Sequence, residues 1–265
     1  MASATLLLPI LLTLAGCQKP QSVTLPFQLS YHNEAVDCEN FPKALSLVPI
    51  KLKDFRLYLH DIELLNAKDQ WQPLTLAQDS LWQHDNTALL DFENAQQGCK
   101  QGNRGVNPQI TGTIDAGDYK ALRFKIGVPF ELNHNNPMIA APPLNLGTMH
   151  WHWQGGYKFV RAEFLINQQP HRFHLGSLQC KGEVGAISHC EKPNRPQFTL
   201  NGFKVNQSNI KVSLDGLLDM TDYPASDKKY LTCMGGTGHP WCHNALKWLG
   251  LADSKGQSMF SINQG

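Results

Sequence analysis

The sequence has almost no net charge: 23 Lys and Arg against 22 Asp and Glu leave a formal +1. General attraction to nucleic acid or to an anionic membrane surface is therefore not implied. No basic run, and no patch of interleaved basic and aromatic residues, points to RNA or DNA. The sequence also lacks a G-x-S-x-G elbow, a P-loop and an H-E-x-x-H helix, which removes the local signatures of three large enzyme classes. Ser177, in HLGSLQC, has no recognisable catalytic partner nearby. No stretch has the dense Asp/Asn pattern of a calcium loop. The acidic pairs Asp61/Glu63 and Asp91/Glu93 fall on solvent-type strand faces and read as solvated charge. C-x-x-C spacing is absent, so a zinc or copper thiolate site is the weaker reading of the cysteines.

Long apolar runs are missing as well. Leu6 to Leu14 suits the apolar part of a signal peptide and is too short to span a bilayer. It leads into Leu14-Ala15-Gly16-Cys17, which looks like a bacterial lipobox, although residues 1–5 carry no Lys or Arg. The expectation is a lipoprotein signal over 1–17, a lipid on Cys17, a polar tether over 18–23 and one domain over 24–265. Gln18 after the cysteine resembles lipoproteins sent to the outer membrane, so the chain is expected in the cell envelope, facing the periplasm.

What is present supports a folded β protein. Hydrophobic content of 42% supports a core and argues against disorder. Short alternating runs recur at 54–65, 87–94, 110–114, 119–128, 149–166, 171–177, 198–203 and 209–220. Turn-forming clusters such as Asn107-Pro108 and Asp115-Ala116-Gly117-Asp118 separate them. The pattern predicts an all-β fold, an antiparallel β-sandwich with long loops and a short C-terminal helix over 242–251. Two loops are rich in special residues: 127–149 (Pro and Asn) and 233–242 (Gly). Long ordered loops of this kind are often functional.

Beyond Cys17, the cysteines are Cys38, Cys99, Cys180, Cys190, Cys233 and Cys242. Six in an exported chain suggest three disulfides, with fifteen possible connectivities. Local pairing favours Cys180–Cys190 and Cys233–Cys242, leaving Cys38–Cys99.

The densest chemistry lies in MHWHWQGGYKF, residues 149–159. On a strand, Met149, Trp151 and Trp153 would share one face and His150, His152 and Gln154 the other. Imidazole suits copper or zinc, and a thioether favours Cu(I). The plainer reading is a strand whose apolar face is packed and whose histidines meet solvent. His60 lies on the polar face of a strand, His134 in ELNHNN and His174 at the end of HRFH.

Taken in order, DFRLYLHDIEL (54–64), LLDFEN (89–94), LRFKIGVPFELNHNNP (122–137), PPLN and MHWHWQGGYKFVR (142–161), FHLGSLQC (173–180) and CMGGTGHPWC with LGL (233–251) resemble the MbnP-like family, the four-Cys metallo-mystery pair proteins. The resemblance covers most of the mature chain. It implies a periplasmic or surface copper-binding protein that is not itself an enzyme. It also implies a di-haem partner related to cytochrome c peroxidases, which oxidises a tryptophan to kynurenine at or near the copper site. Trp151 and Trp153 match the family's paired tryptophans. His60, His134, His174 and Met149 match its recurring ligand positions, and Cys180, Cys190, Cys233 and Cys242 its four cysteines. His150 and His152 are additional ligand candidates peculiar to this sequence. Two readings compete with this one: a copper- or zinc-dependent envelope enzyme, and a metal-free structural lipoprotein.

Overall fold

The computed structural model describes residues 19–42, 48–96, 98–99, 105–218, 232–236, 240–252 and 257–263. The expected signal segment and lipidation site at Cys17 lie outside the described residues. The first strand, Gln21–Tyr31, begins inside the segment expected as a tether.

Two main sheets make the fold. One is centred on Gln21–Tyr31, flanked by Gln109–Ile114 on one side and Asn209–Ser213 with Phe260–Asn263 on the other. The other is centred on the long strand Ile50–Asn66, which pairs with Tyr119–Ile126, Thr87–Asp91 and Val160–Ile166. Gln169–Leu175 and Thr232–Cys233 extend the far side of Val160–Ile166. Most pairings are antiparallel, as the short turns require. Gln21–Tyr31 with Asn209–Ser213, and Gln169–Leu175 with Thr232–Cys233, are parallel, so the sheets are mixed rather than wholly antiparallel.

The sheets face each other across an aromatic core. Phe27 and Phe260 come from one, Phe124 and Phe198 from the other, with Phe124–Phe260 centroids 4.9 Å apart and Phe198–Phe260 centroids 4.7 Å apart, both edge-on. Such pairs add about 0.5–1.5 kcal/mol beyond the burial of their area. Ile50–Asn66 departs from simple alternation. Residues 54–60 are all buried, including Arg56, Tyr58 and His60. The strand is central and covered on both faces, so its polar face is internal.

The expected helix forms as Pro240–Trp248, beginning two residues before the predicted start. Three disulfides join Cys38–Cys99, Cys180–Cys190 and Cys233–Cys242. The last two span 10 and 9 residues of sequence, the first 61. Cys180 and Cys190 face each other across a separate two-stranded hairpin, Leu178–Glu183 with Ala186–Lys192, which belongs to neither main sheet.

Candidate metal centre

The internal polar face of the second sheet carries a chain of charges. Strand register sets Arg161 opposite Arg56 and Glu163 opposite Asp54 on one side, and Arg161 opposite His174 on the other. Asp54 accepts from Arg56 Nε at 2.8 Å, and its Oδ2 lies 3.1 Å from Arg161 Nε. Arg161 Nε also reaches Glu163 Oε1 at 2.9 Å, and the same oxygen lies 3.0 Å from His174 Nε2. All five side chains are buried. Their cations then converge on one residue. Arg56 Nη1 donates to Thr148 Oγ1 at 3.1 Å, while Arg161 Nη1 and Lys158 Nζ donate to the Thr148 carbonyl at 3.1 and 2.7 Å. Thr148 immediately precedes Met149, so the charge chain fixes where the His/Trp segment starts.

That segment is less regular than alternation predicts. Gly147–Met149 is a single 3-10 turn, the strand proper is only His150–His152, and Trp153 lies beyond it in a turn. The register slips between His150 and His152 against Gly156–Tyr157. Met149 is fully buried, His150 and Trp151 half-buried, His152 and Trp153 exposed. The expected division into one apolar and one wet face is thus not kept, because three residues of strand are too few to impose it. Trp151 packs against Gly176, where a Cβ would come within 2.7 Å of the indole. Its ring centroid is 6.3 Å from that of His174.

The histidines differ sharply in what holds them. His174 donates Nε2–H to Glu163, which leaves Nδ1 as the lone-pair nitrogen; it is buried with no hydrogen-bond partner. Burial pushes His174 below the ordinary histidine range, against the upward pull of Glu163, so the ring is neutral at pH 7. Burial would raise Glu163, but the His174 hydrogen bond and then Arg161 outweigh it and bring the carboxyl down to about 2. His150 packs edge-on against Tyr157 at 5.2 Å, and its Nε2 is also buried without a partner.

His60 sits at a bulge. Asp61 has φ +50° and the pairing register shifts between His60 and Glu63. Bulges of this kind re-aim neighbouring side chains and are common beside functional sites. Asp61 is held by Lys125 and Asn86 at 2.9 and 3.0 Å. His60 Nδ1 lies 3.2 Å from Asp61 Oδ2 without hydrogen-bond alignment, and its Nε2 has no partner. Burial lowers His60 to about 4, with Asp61 opposing. His134 caps the short helix Phe130–Asn133 in the 127–149 loop. Asn133 Nδ2 lies 3.1 Å from its Nε2, and its Nδ1 is 3.4 Å from the Trp153 carbonyl. Two buried tyrosines tie the loop down: Tyr58 and Tyr157 donate to the carbonyls of Pro143 and Leu144 at 2.8 and 2.6 Å.

The structure thus places His174 beside Trp151 and His134 beside Trp153, while His60 lies on the central strand Ile50–Asn66, separated from the His174 strand by Val160–Ile166. Among the described residues, a single trio of His, Cys, Asp or Glu has its ligand atoms within 4.8 Å of one another, namely His134, Cys180 and Cys190. The two sulfurs are joined as a disulfide. His60, His134 and His174 do not form such a trio.

The solvated reading of Asp91 and Glu93 is overturned: both are fully buried. Asp91 pairs across the sheet with Arg56, and burial pushes its carboxyl up to about 7. Sequence reading also missed Asp54, Arg56, Thr148, Lys158, Arg161 and Glu163. For Asp54, Arg56, Arg161 and Glu163 the signal was polar residues alternating along 54–60 and 160–164, which is also the pattern of a strand face in water; Thr148 and Lys158 lie outside those runs.

Fold and site together define a disulfide-stapled β-sandwich with an internal charge chain beneath a His/Trp rim. The chain belongs to the MbnP family, whose model matches residues 20–234. It is similar to MbnP from Methylosinus trichosporium, with a TM-score of 0.77 and 29% identity over 92% of this chain and 99% of that one. No curated protein matches the chain.

Proposed function

We propose that this protein binds copper in the cell envelope and does not turn over a substrate, and that Trp151 is oxidised to kynurenine by a di-haem partner as the site matures. The observation that carries the reading is His174. Its Nε2–H is committed to Glu163 while Nδ1 is buried, neutral and unpartnered beside Trp151. A carboxylate on the far nitrogen is the arrangement that orients metal-bound histidines and raises their basicity. A buried polar atom without a partner costs roughly 1–3 kcal/mol, which a bound ion would offset.

The residues fit copper. Imidazole and thioether are both copper ligands. His174, whose ring lies 6.3 Å from that of Trp151, would bind through Nδ1, and the buried Met149 would offer a thioether. His60, His134, His150 and His152 complete the candidate set. Copper would supply a soft, redox-capable cation. Kynurenine would add an aniline nitrogen and a ketone in place of an indole that has a donor but no ligand lone pair. Trp153, 41% exposed, presents a ring to a docking partner two residues from Trp151. A lipid on Cys17 would hold the domain at the membrane.

Copper titration of purified protein against His174→Ala and Trp151→Phe tests the reading. The expected result is that His174→Ala abolishes tight binding and Trp151→Phe abolishes only the gain seen after exposure to the partner. Unchanged copper binding in His174→Ala would defeat it.

A further inference from the structure

The hairpin beside the tryptophan segment holds a second set of ligands. Cys180 and Cys190 are directly opposed across Leu178–Glu183 and Ala186–Lys192. Cys190 Sγ lies 3.7 Å from His134 Nε2, and one atom each from His134, Cys180 and Cys190 falls within 4.8 Å of the other two. We infer that this is a redox-gated metal site: closed while the disulfide is intact, and a two-thiolate, one-imidazole site for Zn(II) or Cu(I) once it is reduced. It draws on His134, also a candidate for the proposed copper site, but not on His174, and it does not require copper at His174.

Three observations support the gate. First, exposure singles out this bridge. Cys38, Cys99, Cys233 and Cys242 are buried, as is Cys180, while Cys190 is only half-buried. Attack by a thiolate needs access to sulfur, and Cys190 is the least buried of the six. Second, the hairpin lies outside both main sheets, so opening it leaves the sandwich pairing intact. Third, the imidazole is already in place. With Nδ1–H turned to the Trp153 carbonyl, Nε2 carries the lone pair; it accepts from Asn133 Nδ2 at 3.1 Å and lies 3.7 Å from Cys190 Sγ, so a metal here would take the place of the Asn133 hydrogen bond. Thiolate pairs with imidazole favour Zn(II) and Cu(I).

The chemistry balances with a dithiol protein or small molecule as reductant. One of its thiolates attacks Cys190 Sγ, breaking the Cys180–Cys190 bond and forming a mixed disulfide, with Cys180 leaving as thiolate. The second thiol of the reductant then displaces Cys190 and closes its own disulfide. Two electrons pass from the dithiol to the protein. Metal binding releases the protons of whatever fraction of the two cysteines is in thiol form. Because Gln154 Nε2 donates to the Cys180 carbonyl at 3.0 Å, and His134 faces Trp153, metal bound here would sit against the tryptophan segment.

The test uses the whole chain, reduced with dithiothreitol, desalted under anaerobic conditions and titrated with Co(II) as a spectroscopic stand-in for Zn(II). Alkylation and peptide mass mapping report which cysteines were opened. The expected result is labelling at Cys180 and Cys190 and a saturable thiolate-to-cobalt charge-transfer band. That band is lost in Cys180→Ser/Cys190→Ser, is retained in His174→Ala, and shows binding weaker by about tenfold or more in His134→Ala. Should the serine variant not fold, blocking the reduced wild-type thiols with iodoacetamide before titration gives the same comparison. The inference is overturned by opened Cys180 and Cys190 without the band, by a band that survives serine substitution or alkylation, or by a Cys180–Cys190 bridge that stays closed until the fold is lost. Loss of the band in His174→Ala would also overturn it, since the two sites would then be one.

Discussion

Glu163 is the residue on which the site turns. It neutralises Arg161 and fixes the tautomer of His174. Replacing it with Gln keeps the shape but removes the charge that holds both. Breaking a buried ion pair on one side costs about 3–5 kcal/mol, and loss of an outer-shell partner weakens metal binding by about 10–100-fold. Glu163→Gln is therefore expected to lower both thermal stability and copper affinity. Nitrogen NMR of His174 should show Nε2 protonated in the parent and a tautomer mixture in the variant; an unchanged tautomer would show that Glu163 does not set it. Asp91 makes a separate prediction. Its carboxyl titrates near 7 when folded and near 3.8 when unfolded. The folded state therefore binds more protons between those values, and this residue's contribution to stability falls as pH rises from 4 to 7. His60, held near 4 when folded against 6.5 unfolded, works in the opposite direction over pH 4 to 6.5. Asp91→Asn should stabilise the protein more at pH 8 than at pH 5 in urea unfolding. An equal effect at both pH values would mean that Asp91 is ionised throughout.

At the scale of elements, the short strand His150–His152 is placed from below by Gly176 and from its start by Thr148. A methyl at position 176 would meet the Trp151 ring and the Tyr157 carbonyl, at 2.7 and 2.8 Å. Gly176→Ala is expected to cost about 1–3 kcal/mol through overpacking and to shift tryptophan emission as Trp151 moves outward. Emission and stability both equal to the parent would show that the strand yields freely. This region is also where the sequence was hardest to read. The stretch 149–166 has the composition of one strand, yet it forms three, because Gly155-Gly156 lets the chain turn back and Lys158 N pairs with the Met149 carbonyl at 2.7 Å. The 54–65 strand was legible from alternation, but its burial on both faces was not. Alternation reports which residues share a face, not what later covers that face. Arg56 looks like a solvent contact until Thr148 of the 127–149 loop meets it, and Glu163 until Arg161 and His174 pair with it.

For the whole molecule, the sandwich and its three bridges were readable because short turns enforce local pairing and six cysteines leave few local choices. The two parallel pairings were not, since they depend on elements far apart in sequence, such as Gln21–Tyr31 with Asn209–Ser213. Loop-closure entropy ranks the bridges. Cys38–Cys99, closing the longest segment, should contribute about 4 kcal/mol and each short bridge about 3 kcal/mol. Urea unfolding of the Cys38→Ser/Cys99→Ser protein should show the larger loss; a smaller loss than at Cys233–Cys242 would mean that the denatured chain is already constrained there. The central claim concerns maturation, and peptide mass spectrometry tests it most directly, on protein made with and without a di-haem partner and with copper measured on the same samples. The account predicts oxygen addition and conversion to kynurenine at Trp151 only when the partner is present, accompanied by a rise in retained copper. Intact Trp151 and Trp153 with the partner present, or full copper retention without any oxidation, would contradict it.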